Sequence, residues 1–323
     1  MKGETLFDMN ETLFLDVLKK EMALEPEKLC HHLEAFILDK MEKLDRDGVI
    51  LGLSGGIDSA VVAALCRRAV GAERTVALLM PEKDSEANHI KDALALAKNL
   101  NIEARLIDMT RYLRELDVYD LVPLSKIPFM RRIRGFLNKM GYRIFERRTG
   151  ETLFSASLAG IRSEKYETIL KKRNAYYRIK HRLRMALLYL YGERENRLVV
   201  GAANKTEKLI GYFVKHGCDD AADIMPLITL YKTQVRELAR YLQIPPHIIA
   251  KPPSPDIIPG IDDEDAIGLP YDVLDLILLG FEKEHSVADI SGVLKIGTEK
   301  VDGVKRLVER SAHMRMIYAP EDL

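Results

Sequence analysis

Ser54-Gly55-Gly56-Ile57-Asp58-Ser59 stands between the apolar run Val49-Ile50-Leu51-Gly52-Leu53 and the helix-favouring run Ala60-Val61-Val62-Ala63-Ala64-Leu65. That order predicts a strand, a glycine turn and a helix. Such a turn leaves backbone N–H groups facing outward with the positive end of a helix behind them, a cradle for phosphate or pyrophosphate. Asp58 adds a carboxylate where anions are expected, which makes sense when a magnesium ion stands between it and phosphate oxygens. Neither Gly-x-x-x-x-Gly-Lys-Ser/Thr nor Gly-x-Gly-x-x-Gly opens this helix. The sequence therefore supports neither kinase-type P-loop chemistry nor a dinucleotide fingerprint.

Upstream, residues 12–45 carry apolar positions at helical spacing, among them Leu13, Val17, Leu29, Leu33, Ile37 and Met41, broken near Pro26. Two helices are expected before the first strand. Downstream, Thr75-Val76-Ala77-Leu78-Leu79-Met80 ends at Pro81 and reads as a buried strand. Ser85 is the expected cap of a helix running to about Leu100. Glu103–Asp108 and Arg197–Gly201 read as further strands, the latter followed by a helix from about Lys205. Strands alternating with helices at this spacing predict an α/β fold, a doubly wound parallel sheet with ligands beyond the strands' C-terminal ends.

Between Thr110 and Lys180 the alternation fades and the chain turns basic and aromatic. From Phe129 to Arg184 there are sixteen Lys or Arg residues against four Glu and no Asp. The reading is one domain over residues 1–323 with an inserted, basic helical subdomain at 111–177. That insertion is either a solvated helical hairpin or a surface that closes over something anionic.

With 323 residues, 47% of them apolar, the chain can bury a large core. Lys plus Arg equals Asp plus Glu at 49 each, so no overall charge argues for nucleic acid. Cys30, Cys66 and Cys218 are widely separated, with neither metal-ligand spacing nor an even disulfide framework, which points to a reducing, cytoplasmic setting. No signal-like segment and no uncharged run of about 18 residues is present, so no membrane partner is expected. The eight histidines are dispersed, and no Ser-His-Asp or Cys-His arrangement is evident.

Ser-Gly-Gly-x-Asp-Ser resembles the pyrophosphate loop of the ATP pyrophosphatase superfamily, whose members activate a carboxylate or carbonyl oxygen as an adenylate. A longer ordered set is similar to its ammonia-dependent NAD synthetase branch: Gly201-Ala202-Ala203-Asn204-Lys205-Thr206-Glu207, Leu209–Gly217, Ala221-Ala222-Asp223-Ile224, Leu230-Tyr231-Lys232-Thr233-Gln234-Val235, Lys251-Pro252-Pro253-Ser254-Pro255-Asp256 and Asp263-Glu264. Arg182-Leu183-Arg184-Met185 with Tyr189 resembles the helix before that branch's glutamate strand. The resemblance implies that ATP, ammonia and deamido-NAD (nicotinate adenine dinucleotide) give NAD, AMP and pyrophosphate.

It implies Ser54, Gly55, Gly56, Ile57 and Ser59 on pyrophosphate, and Asp58 with Glu207 on Mg2+. Lys232 and Ser254 fall on ATP, and Arg182, Lys215, Asp223 and His313 on the dinucleotide. Asp58, Lys215 and Lys232 are the expected catalytic residues. It also implies a homodimer in which the arginine crosses the interface, with an ammonia-supplying glutaminase as a further conceivable partner.

Four features depart from the family's pattern: Ala202 replaces a threonine, Cys218-Asp219-Asp220 replaces Gly-Asp-Gly with one extra residue before Asp223, Met314 replaces a lysine after His313, and the basic insertion is larger than the family usually carries. These departures leave two further readings, a pyrophosphatase-loop enzyme acting on another carboxylate or a tRNA base, and a non-catalytic nucleotide-binding paralogue.

Overall fold

The computed structural model describes residues 6–122, 131–159, 164–253 and 261–318. In chain order its helices and strands are α1 (Leu6–Met22), α2 (Pro26–Lys43), β1 (Gly48–Gly52), α3 (Ile57–Val70), β2 (Thr75–Leu79), α4 (Ala87–Asn99), β3 (Glu103–Leu106), α5 (Thr110–Glu115), α6 (Arg131–Thr149), α7 (Leu153–Ala159) and α8 (Glu164–Arg194). There follow β4 (Arg197–Val200), α9 (Lys205–Ile210), α10 (Lys232–Tyr241), α11 (Pro246–Ile249), α12 (Asp263–Ile267), α13 (Tyr271–Glu282), α14 (Val287–Leu294) and α15 (Thr298–Arg310).

The strands form one parallel sheet in the order β3-β2-β1-β4, with Ile50 in register with Val76 on one side and Val199 on the other. Alternation along β1 sends Val49 and Leu51 to one face, where they pack with residues of α2, α3 and α10. Ile50 goes to the opposite face with Val76, Leu78 and Val199, against Met185, Leu187 and Leu188 of α8. Both faces are thus covered, as a parallel sheet requires. Each fully buried aliphatic contributes about 1.5–3 kcal/mol relative to exposure. A third apolar cluster joins Leu18, Leu158 and Ile210 to Leu274, Ile277, Val301 and Val304, so α1, α7 and the C-terminal helices form a second layer beside the sheet.

Pro26 opens α2 in the first turn, where a missing N–H costs nothing. One expected start is corrected: α4 begins at Ala87 behind Glu86, while the Ser85 hydroxyl accepts from the Glu82 amide at 3.1 Å and closes the preceding turn instead. The described part of the basic segment is helical, and α8 runs without a break through residue 177 to Arg194. Among the described residues no helix is long and apolar enough to cross a membrane.

Below the sheet, Glu195 after α8 accepts two hydrogen bonds from Arg105 of edge strand β3, one of them 3.0 Å long, and a third from Arg197 of the opposite edge strand β4 at 3.2 Å. The Arg105 guanidinium beside it, more than the opposing effect of burial, holds the Glu195 carboxyl down to about 2. A depressed carboxyl stabilises the fold above its unfolded pKa near 4.5, and that stabilisation is lost as pH falls towards 2. Glu195→Gln is expected to cost about 1.5 kcal/mol at pH 7. Urea unfolding should show the gap to wild type narrowing steadily below pH 4.5; a gap independent of pH would contradict the ionic account.

Candidate active site

The loop after β1 reaches α3 through Gly55 at φ +81° and Gly56 at φ −91°, and no side chain caps the helix. The first bond inside α3 is Ala60 N–H to the Gly56 carbonyl at 3.1 Å. The N–H groups of Ile57, Asp58 and Ser59 precede it, so the open end of α3 presents first-turn donors. Ser54 and Ser59 brace the loop from within: Ser59 Oγ accepts from Ser54 N at 3.2 Å and donates to the Gly56 carbonyl at 3.0 Å, and Ser54 Oγ accepts from Gly56 N at 3.2 Å. Of the loop amides described, that of Gly56 is therefore drawn towards Ser54.

Gly55 is required twice over. Its backbone lies in the left-handed region, and a Cβ there would stand 2.3 Å from the His89 carbonyl oxygen of α4. Gly55→Ala is expected to cost about 1–2 kcal/mol in backbone conformation and to push the loop off α4. Displacement of the loop by about 1 Å should lower turnover about 100-fold. Steady-state kinetics and thermal melting check this; wild-type turnover would remove the claim that the loop is held in place at Gly55.

Beneath the loop, three elements converge on one ammonium. Lys232, at the start of α10 and with its side chain 2% exposed, donates to Asp58 Oδ2 at 2.6 Å and Glu207 Oε1 at 2.9 Å. Asn204 links two of the elements: its Oδ1 caps α9 by accepting from Glu207 N at 3.0 Å, and its Nδ2 donates to Asp58 Oδ1 at 3.0 Å. Asp275 of α13 holds α9 and α10 in register, accepting from Thr206 Oγ1 at 2.6 Å and from Thr233 N at 2.8 Å. Asp263 completes the acid cluster and is hydrogen-bonded by Tyr212 and Tyr271, each at 3.1 Å.

Electrostatics follow from this burial. Burial pushes the Glu207 carboxyl above the usual carboxylate range, with Lys232 opposing and Asp58 adding to the rise. Burial likewise lifts Asp263 to about 6 against the pull of Lys232. For Lys232 burial works downward, yet Asp58 and Glu207 outweigh it and hold the ammonium above its ordinary range. Two carboxylates that reach one cation are an oxygen donor pair suited to a hard divalent ion such as magnesium. Glycine loop, acids and lysine all border one cavity of about 220 Å³ at the C-terminal end of the sheet.

The family model for NAD synthase matches residues 29–123 and 152–317. The NH3-dependent NAD+ synthetase of Thermotoga neapolitana is 42% identical over 282 residues, covering 87% of this chain and 91% of that relative. The chain belongs to the NAD synthase family. A further NH3-dependent NAD+ synthetase, from Methanocaldococcus jannaschii, is 32% identical over 291 residues, covering 90% of this chain and 95% of the other. Among solved structures, NMN synthetase from Francisella tularensis aligns with TM-score 0.67 and 28% identity over 93% of this chain and all of that one. NH3-dependent NAD synthetase from Campylobacter jejuni, in complex with the nitrate ion, aligns with TM-score 0.62 and 27% identity at the same coverage. Residues 124–151 fall between the two segments matched to NAD synthase.

Of the site residues expected from the sequence, Ser54, Gly56, Ile57, Asp58, Ser59, Glu207 and Lys232 border the cavity. Ser254 lies outside the described residues. Arg182, Lys215, Asp223 and His313 do not border this cavity. Lys215 Nζ donates to the carbonyls of His313 and Met316 at 3.2 and 2.5 Å, and Arg182 Nε to the Lys215 carbonyl at 3.3 Å. Asp223 accepts from the Val199 amide and the Tyr189 hydroxyl, both at 2.9 Å, and so satisfies the edge of β4. His313 Nδ1 lies 2.8 Å from the Arg310 carbonyl.

Other residues at the site carried no role in the sequence reading. Lys251 donates to the Gly55 carbonyl at 3.1 Å and pairs with Asp92 of α4. Its only sequence signal is a lysine before two prolines, 196 residues from the glycine it supports. Asn204, read in the sequence only within the stretch 201–207, both caps α9 and holds Asp58.

A second cavity of about 160 Å³ adjoins the first through His181, Tyr212 and Asp219, which border both. Tyr142 of α6, Phe154 of α7 and Arg173, Tyr177 and Arg178 of α8 line it. Two departures from the family pattern, Ala202 and Cys218, border the first cavity, and Met314 borders the second.

Proposed function

We propose that this protein joins ammonia to the nicotinate carboxyl of nicotinate adenine dinucleotide at the expense of ATP, giving NAD, AMP and pyrophosphate. The observation that carries this reading is the meeting of Asp58, Glu207 and Lys232 beneath the open end of α3. A carboxylate oxygen of the acceptor bonds to the α phosphorus of ATP as the bond to the bridging oxygen breaks and pyrophosphate leaves. Negative charge grows on the departing group, where the first-turn amides of α3 and the Lys232 ammonium stabilise it. Asp58 and Glu207 would hold Mg2+, which when bound neutralises phosphate oxygens. Ammonia then bonds to the adenylated carbonyl carbon, one proton is lost, and AMP departs. No side-chain nucleophile is needed.

The acceptor is placed in the second cavity, because that cavity joins the first and offers aromatic faces beside Arg173 and Arg178. We infer a homodimer in which the exposed Arg182, which borders neither described cavity, serves the neighbouring copy. Similarity to NMN synthetase favours a second reading in which the acceptor is nicotinate mononucleotide.

Each acceptor should be supplied in turn with ammonia and magnesium ATP. Equal amounts of AMP and NAD from the dinucleotide are expected. Preferential formation of NMN from the mononucleotide would transfer the assignment to the second reading, and absence of AMP with both would overturn either.

A further inference from the structure

Where the two cavities meet, three side chains of different chemistry converge. His181 of α8 places Nδ1 at 3.2 Å from Cys218 Sγ and 3.0 Å from Asp219 Oδ2, and Cys218 Sγ lies 3.5 Å from Asp219 Oδ1. One ligand atom from each of the three side chains lies within 4.8 Å of the other two, and zinc gathers such donors at the corners of a tetrahedron. With Zn–N and Zn–O of about 2.0–2.1 Å and Zn–S of about 2.3 Å, its edges measure about 3.3–3.6 Å.

Nδ1 carries either a proton or a lone pair: protonated, it serves Asp219 while the thiol turns to Asp219 Oδ1, and unprotonated it offers the lone pair that a metal takes. The other nitrogen, Nε2, is buried with no hydrogen-bond partner among the described residues, although His181 is only 7% exposed.

We propose that His181, Cys218 and Asp219 bind one zinc ion, with its fourth position open to the cavity they line. Mixed nitrogen, sulfur and carboxylate donors favour zinc, whereas the all-oxygen pair of Asp58 and Glu207 favours magnesium, so the two sites sort their cations by ligand type. Burial keeps the Cys218 thiol protonated in the free protein. Binding therefore exchanges an S–H bond for a zinc–sulfur bond and passes the proton to solvent. Asp219, with its side chain 32% exposed, supplies the entry path. The ligands come from α8 and from the loop after Val214, 37 residues apart, which is why no spacing pattern announced them.

Cobalt(II) titration of the full chain in excess magnesium, which occupies the acid pair, tests this independently of any ligase assay. One equivalent should bind with a thiolate-to-cobalt charge-transfer band and visible bands of tetrahedral intensity, and zinc should displace it. Cys218→Ser should abolish the charge-transfer band, and His181→Gln should weaken uptake about tenfold or more. Far-UV circular dichroism reports whether each variant folds, and the part-exposed Asp219→Asn replaces one that does not. Cobalt uptake by the wild type without a thiolate band overturns the proposal by itself, as does a band that survives in Cys218→Ser.

Discussion

Lys232→Met is expected to lose about 3–5 kcal/mol of stability, with a fall in Tm on the order of 10 °C, and to abolish turnover. Methionine keeps most of the buried stem, so packing changes little and charge is what is lost. Without the ammonium, Asp58, Glu207 and Asp263 face one another with no cation between them. Breaking a buried ion pair from one side leaves the whole desolvation cost of the partners uncompensated. Magnesium is the natural rescuer, because a divalent ion gripped by Asp58 and Glu207 restores the missing positive charge. Added magnesium should therefore raise the Tm of the variant more than that of wild type. Equal magnesium responses in scanning calorimetry would contradict the view that these acids hold a cation in common.

Asp58→Asn is expected to lower kcat about 1000-fold, equivalent to about 4 kcal/mol of lost transition-state stabilisation, while the fold survives. The substitution is nearly isosteric, and Lys232 keeps Glu207 as a partner, so the structural loss is confined to about one charged hydrogen bond, 1.5–3 kcal/mol. The larger effect falls on pyrophosphate departure, since one of two acids that would seat magnesium is gone. Pyrophosphate release should drop in parallel with amide formation, and the magnesium concentration for half-maximal rate should rise. If acyl transfer failed while pyrophosphate release stayed at the wild-type rate, Asp58 would have to act on the later, ammonia-dependent step instead.

The glycine loop, its strand and its helix were readable in the sequence because each is a short-range matter. Alternating or continuous apolar runs, two glycines and a change of period leave few other local structures for residues 48–70. The helix start near Lys205, with Glu207 in its first turn, is readable for the same reason. The basic segment was harder: charges and aromatics scattered without a clean period do not reveal that one helix, α8, continues from Glu164 through the segment and beneath the sheet to Arg194.

The sequence by itself determined the order of the parallel elements, the loop at the end of β1 and the presence of two acids and a lysine in a family pattern. Tertiary structure alone decided that Lys232 is shared by Asp58, 174 residues away, and Glu207, 25 residues away. It also decided that Asp223 and Lys215 bind backbone groups and that His181 meets Cys218. The reason is physical: a turn or helix is set by neighbours in the chain, whereas a buried charge takes whichever counter-charge the packed layers bring within reach, and no local pattern records that choice.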